Sequence, residues 1–274
     1  MAMKQRIAPR VTPVSLDEVR AHCRVDIRDD DADLERYLRT AVANVERETG
    51  RQLVDAGWRY SLSNWQPQIR LPRAPLAAVE TVTYLTEAGV RTTLAASSYH
   101  VRTDDEPGVV SPAYNLSWPN SRIFADSIRI DYWAGCAAPV LEIDTNVLTV
   151  FGRPLADGDE VTLWSPGDYP GGVTAGGLYY VVSATRNGAV TAISLALEED
   201  GDPIEISSDL GASLWITGNS ELFQLGRQAV LLMVGHLYEA REATTPEAIR
   251  EIPLGVARLL ENMQYGAELW NWES

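Results

Sequence analysis

Residues 137–220 contain no segment with helical periodicity, although the chain on either side of them does. Their apolar segments (LEIDTNVLTVFGRPLADGDEVTLWS, GGLYYVVSA, GAVTAISLAL and ASLWITG) are short and rich in β-branched and aromatic residues. Turn formers separate them, as DGD, PGDYPGG, RNG and EEDGDP. Turn signals at intervals of roughly 8–12 residues predict a β-sandwich or barrel. The same stretch holds twelve Asp and Glu against two Arg, a net charge of −10 out of −15 for the whole chain. An all-β, strongly acidic module is therefore expected at 137–220. Excising it would set Gly135 against Glu221, a strand running by a short turn into a helix, so the module reads as an insertion.

The flanks are helical at both ends. In SLDEVRAHCRV, Ser15 is an N-cap and Glu18, three residues on, completes a capping box. In DDDADLERYLRTAVANVERETGRQL, Asp29 to Asp33 supply a cap and negative charge at the positive end of the helix dipole. Leu34, Tyr37, Leu38, Ala41, Val42 and Val45 form one apolar stripe, and Gly50 is a C′ residue. From Trp58 the period changes to two, through WRYSLSNW, QIRLPRAPL, VETVTYLTE, RTTLAASSYHV and SIRIDYWAG, which predicts a small antiparallel sheet beside the first helices. Pro72 and Pro75 mark an edge or loop within it.

Helical periodicity resumes at Ser220, with Leu222, Leu225, Ala229, Leu232, Met233, His236 and Leu237 as the apolar face. A further element starts at Pro246. After Pro253, LGVARLLENMQYGAELWNWES predicts a last amphipathic helix with a tryptophan-bearing tail. The expected class is α+β: a helical bundle with a small antiparallel β-region (1–136 and 221–265), an inserted all-β sandwich or barrel domain (137–220), and a C-terminal tail (266–274).

With a net charge of −15 and a pI near 4.6, the surface offers no basic footprint for gripping phosphates. Sequence-specific nucleic-acid binding is excluded on that ground, whereas an acidic wall past which DNA slides is not. No apolar run approaches the roughly 18 residues of a membrane span. The N-terminus, MAMKQRIAPRVTP, lacks the apolar region of a secretory signal. Cys23 and Cys136 make neither a CxxC pair nor a disulfide framework. Synthesis in the cytoplasm is expected.

The segment VGHLYEAREA places His236 and Glu239 one helical turn apart, as a metal site or a general-base pair would. A zincin needs HExxH and an inverzincin HxxEH, and neither is present. The pair is expected to be structural. DDDAD (29–33) lacks the glycine and distal glutamate of a calcium loop and precedes a helix. The loops DGDE (157–160) and EEDGD (198–202) have the composition of hairpin turns. With no GxSxG, P-loop, GxGxxG or Cys–His pairing, neither enzymatic activity nor a metal or cofactor is expected. Trp164, Tyr179, Tyr180 and Trp215 are expected as core or strand-pair residues rather than a sugar platform. Trp270 and Trp272, close to a chain terminus, are expected to contact a partner.

Three stretches carry a family resemblance: SLDEVRAHCRVDIRDDDADLERYLRTAVANVERETGRQL, the strand ending IRIDYWAGCA, and the helix LGRQAVLLMVGHLYEAREA. Together they resemble the head–tail connector proteins (adaptors, head-completion or DNA-packaging proteins) of long-tailed bacteriophages, over 15–136 and 221–265. Residues 137–220 depart from that pattern, because such proteins pass almost directly from the Y-x-A-G turn to the helix. The resemblance implies a non-enzymatic subunit of a ring of about twelve copies, closed by heterologous contacts. It implies a position beneath the portal protein, in the virion neck, with other neck and tail-completion proteins as partners and double-stranded DNA passing through the lumen. The C-terminal segment would reach the portal through Leu254, Leu259, Leu260, Tyr265, Leu269, Trp270 and Trp272. Arg36, Arg39, Arg47, His236 and Glu239 are the expected ring contacts. Another neck protein, or a carbohydrate-binding or hydrolytic protein working through the β-module, is the competing expectation.

Overall fold

The computed structural model describes residues 1–26, 28–207, 213–218, 220–239 and 254–264, with only the backbone of Ser220 and Leu254. The chain divides into two compact units. One consists of Met1–Arg10 with Val54–Ser220, and the other of Val11–Leu53 with Glu221–Ser274.

The second unit is helical: α1 (Leu16–Cys23), α2 (Asp31–Thr49), α3 (Ser220–Glu239) and α4 (Leu254–Met263). The capping box forms as the sequence predicts. Glu18 N donates to Ser15 Oγ at 3.2 Å, and Ser15 N donates back to Glu18 Oε2 at 2.9 Å. On α2, Leu34, Leu38, Ala41 and Val45 are buried, Tyr37 and Val42 flank them half-buried, and Gly50 closes the helix at φ 71°. Asp30 occupies the N-cap position of α2 but does not cap it; its Oδ2 instead accepts from the Tyr238 hydroxyl at 2.8 Å.

The stripe expected on α3 is displaced. Phe223, Ala229, Val230, Met233 and Val234 are buried, while Leu225 is 38% exposed. Apolar residues nearly surround this helix, so periodicity alone does not choose the inner face. Gly226 does, because a Cβ there would collide with the Leu53 side chain. On α4, Val256, Leu260 and Met263 face inward, and Arg51 Nε donates to the Met263 carbonyl.

The other unit begins with a strand that the sequence reading missed, β1 (Ala2–Ile7). It is followed by β2 (Ala56–Leu62), β3 (Ile69–Arg70), β4 (Leu76–Leu85), β5 (Arg91–Thr93), β6 (Tyr99–Arg102), β7 (Val109–Pro112) and β8 (Ile128–Ala134). A five-stranded antiparallel sheet has the order β1-β2-β8-β4-β5, and a small sheet the order β3-β7-β6. Because β1 is an exposed edge strand it shows little apolar alternation. What places it is Gly57, where Ile7 packs 3.0 Å from the position a Cβ would take. Trp58, Tyr60, Ile128, Ile130 and Tyr132 form one face of the sheet core.

Six antiparallel strands between Ala137 and Thr217 close into a barrel, which settles the choice between sandwich and barrel. Its strands are β9 (Ala137–Asp144), β10 (Val147–Phe151), β11 (Glu160–Trp164), β12 (Leu178–Asn187), β13 (Val190–Ala196) and β14 (Leu214–Thr217), in the order β10-β13-β12-β11-β14-β9. Closure leaves no free edge. Leu148, Val161, Leu163, Tyr179, Ile193 and Leu195 are among the side chains that fill the interior. The first residue of β9 and the last of β14 are register partners, Ala137 with Thr217, so the chain enters and leaves the barrel at one point.

The sequence grouped the sheet with the helices, whereas the compact units group it with the barrel. Fully buried Asp55, just before β2, is the reason. Arg153 donates to it from Nε (2.8 Å), Nη2 (2.7 Å) and its backbone N (2.9 Å), and Nη2 also reaches the Gly135 carbonyl at 2.8 Å. Gly135 and Gly152, the latter at φ 129°, lie so close to Asp55 that a Cβ on either would overlap it. Burial lowers the Arg153 pKa and the Asp55 charge and hydrogen bonds raise it, the net shift being upward. Trp133 meets Phe151 edge-on at 6.0 Å, with Arg186 over the Trp133 ring and Arg10 over the Phe151 ring.

Candidate assembly interface

Arg36, Arg39 and Arg47 stand on the solvent face of α2, opposite the Leu34–Val45 stripe, with 65–71% of each side chain exposed. Each is engaged within its own helix: Arg36 with Asp33 (2.9 Å), Arg39 with Glu35 (2.5 Å) and Arg47 with Glu48 (3.0 Å). Such exposed pairs contribute only about 0.3–0.5 kcal/mol, so exchanging them for pairs with another subunit costs little.

His236 is half-buried and Glu239 exposed. Their turn of α3 packs on the α1–α2 corner, where His22 Nε2 lies 3.2 Å from a Cβ position on Gly235. Burial first, and then the Glu239 charge, push the Cys23 thiol up. Among the described residues, no group of three His, Cys, Asp or Glu could hold a metal ion. Of the expected portal contacts, Leu260 is buried inside the helical unit and Leu259 is half-buried; the Leu254 side chain, Tyr265, Leu269, Trp270 and Trp272 lie outside the described residues.

Sequence reasoning missed two polar constellations, because each joins positions far apart in the chain. The first is Arg227. It is 6% exposed and donates to the Pro13 carbonyl and to Glu18 Oε1, so α3 is bonded to the capping box of α1. Burial is the main cause of its lowered pKa, with Glu18 opposing.

The second lies on the polar face of the five-stranded sheet. Arg59 faces Asp131 across β2 and β8 and binds both its oxygens, at 2.7 and 2.8 Å, while Arg6 adds a bond at 2.7 Å. The hydrogen bond that Arg59 donates to Asp131 is the first cause of its raised pKa. Arg129 binds Asp126 (2.7 Å from Nε), and Arg91 donates to the Asp126 carbonyl at 2.8 Å. Burial, then the like charges of Arg129 and Arg59, lower the Arg91 pKa. In a chain of net charge −15, cations outnumber carboxylates on this face.

The Arg129 hydrogen bond, opposed by burial, holds the Asp126 carboxyl below the ordinary carboxylate range. A depressed folded-state pKa contributes stability above the unfolded value of about 3.9, lost as pH falls through the folded value. Asp126→Asn should therefore flatten the acid limb: in urea titrations the wild type loses more stability than the variant below pH ~4. Equal acid slopes would show that the pair does not titrate with folding.

Two exposed apolar features stand out among the described residues. The first is the loop 113–126, which carries Tyr114 (93% exposed), Leu116 (54%), Ile123 (80%) and Phe124 (61%). It is held in place. Trp118 stacks on Trp65 at 4.5 Å with planes 6° apart and donates from Nε1 to the Gln66 carbonyl at 2.6 Å. Arg122 N bonds to the Leu85 carbonyl at 3.0 Å. Residues 113–125 contain no carboxylate, and Arg122 is their one charge.

The second feature is at one end of the β12–β13 pair, where Leu178 is 46% and Leu197 64% exposed. Exposed Glu198, Glu199, Asp200 and Asp202 follow directly in the chain. Glu160, opposite Tyr180 across β11 and β12, is the first cause of the raised Tyr180 pKa, and Glu199 adds to it. Of the four aromatics weighed as a sugar platform, Tyr179 and Trp215 are buried and Trp164 and Tyr180 half-buried.

Comparison with known proteins bears on what this architecture is. Residues 13–98 match the model of the family described as phage gp6-like head-tail connector protein. No curated protein matches the chain. A chain in the virion of a native gene transfer agent (GTA) particle superposes with a TM-score of 0.54 at 21% identity, over 96% of this chain and 95% of that one. A chain from the neck of the empty GTA particle, computed with C6 symmetry, matches equally well. One from the neck of the native particle, computed with C12 symmetry, gives 0.51 at 20% identity over the same shares. Residues 13–98 thus carry the sequence pattern of the phage gp6-like head–tail connector family, and the chain as a whole, barrel included, has the fold of a chain found in a gene transfer agent neck.

Proposed function

We propose that the protein is a structural, non-enzymatic subunit of a head–tail connector ring in the neck of a phage-like particle. In this reading it docks beneath the portal protein, extends the DNA channel and joins head to tail beside other neck proteins. About twelve copies close the ring by heterologous contacts. Duplex DNA passes the lumen unheld, consistent with the net charge of −15. The main support is the end-to-end match, over 96% of this chain and 95% of the other, to a chain in a gene transfer agent particle, together with the family match at 13–98. Within it, Arg36, Arg39 and Arg47 are proposed ring contacts, and the segment from Leu254 to Trp272 the proposed portal contact. The competing reading, a sugar platform on the barrel, is weakened by the burial of Tyr179 and Trp215.

Light scattering on the protein alone and mixed with its portal ring tests this. The expected result is stoichiometric loading of the portal; a chain that ignores the portal would overturn the connector reading. Changing Trp270 and Trp272 together to alanine should weaken loading at least ~10-fold with the melting temperature unchanged. Unaltered loading would remove the tail from the contact.

A further inference from the structure

We propose that the loop 113–126 of one copy docks on the Leu178–Leu197 end of the barrel of a second copy, a contact that rests on the ring reading above. The two surfaces match in two independent ways. Both expose large apolar side chains, Ile123 and Phe124 on the loop and Leu178 and Leu197 on the barrel, each 46–80% exposed. Large apolar side chains left this exposed on a folded protein are where an interaction site is to be sought.

Their charges are also opposite. Residues 113–125 of the loop hold no carboxylate and carry Arg122, while Asp126 at its foot is taken up by Arg129, with Arg91 on its carbonyl. The barrel end is rimmed by Glu198, Glu199, Asp200 and Asp202. Two copies of a chain with net charge −15 repel one another over most of their surfaces. A loop tip whose one charge is Arg122, set against an acid-rimmed barrel end, is where that repulsion turns to attraction.

The loop is also pre-ordered. The Trp65–Trp118 stack and the Arg122–Leu85 backbone bond hold it, so little conformational entropy is lost on docking. Because loop and patch are different surfaces, the contact is head-to-tail, as a cyclic ring requires.

The test uses two full-length variants, Ile123→Ser with Phe124→Ser, and Leu178→Ser with Leu197→Ser, followed by sedimentation and light scattering across concentration. The wild type should grow beyond a dimer as concentration rises. Each variant should associate at least ~100-fold more weakly while melting like the wild type, since the replaced side chains are exposed. Mixed, the two variants retain one intact contact between them, so they should form a 1:1 pair and nothing larger. If both variants assemble like the wild type, the docking proposal is overturned, the ring reading stands, and the loop faces a different protein of the particle. A wild type that stays monomeric at every concentration also overturns the docking proposal; its loading onto the portal then decides the connector reading separately.

Discussion

Replacing Asp55 by alanine should cost about 3–5 kcal/mol of unfolding free energy, as breaking one half of a buried ion pair does. The side chain is fully buried and accepts three bonds from Arg153. Truncation leaves the guanidinium with the Gly135 carbonyl as its one remaining hydrogen-bond partner among the described residues, and a cavity against Gly135 and Gly152. A urea titration followed by tryptophan fluorescence reads the loss as a lowered midpoint. The double variant Asp55→Leu with Arg153→Met should recover part of it, because removing both charges removes the unpaired one. A single variant as stable as the wild type would mean that the pair does not hold the barrel to the sheet.

The second large effect is expected at Arg227. Arg227→Ala removes a buried donor from Glu18 and from the Pro13 carbonyl. The expected cost is about 2–3 kcal/mol, below that at Asp55, because Glu18 keeps its bonds to Ser15 and some contact with water. Arg227→Lys should recover only part, since one ammonium cannot copy the forked geometry that serves both acceptors. Thermal unfolding monitored by far-ultraviolet circular dichroism measures it. If the lysine variant is fully restored, charge alone is what matters there.

Part of this architecture was legible from short-range signals. The capping box at Ser15 and Glu18, the α2 stripe, Gly50 and the β-rich insert each depend on residues a turn or a hairpin apart, and each is present. The same holds for the exposed arginines of α2, which follow from their offset from the buried stripe. The inner face of α3 was not legible. Leu225 and Phe223 are equally apolar, and the close approach of Leu53 to Gly226 chooses between their faces. Nor was β1, whose pairing rests on the contact of Ile7 with Gly57, fifty positions away in sequence. The loop 113–126 carried no periodic signal, and its apolar residues stand out only once the structure leaves them uncovered.

The sequence by itself therefore determined most of the helices and strands, the all-β character of 137–220 and its strongly acidic balance. These follow from local propensity, side-chain period and formal charge. Only the tertiary structure decided that the insert closes into a barrel and that the sheet belongs with it. The same is true of the long-range polar bonds that Arg153 and Arg227 carry. Each of these depends on groups brought together across 98 positions, as with Asp55 and Arg153, or 209, as with Glu18 and Arg227. Burial makes such pairs costly to break, and no pattern along the chain announces them.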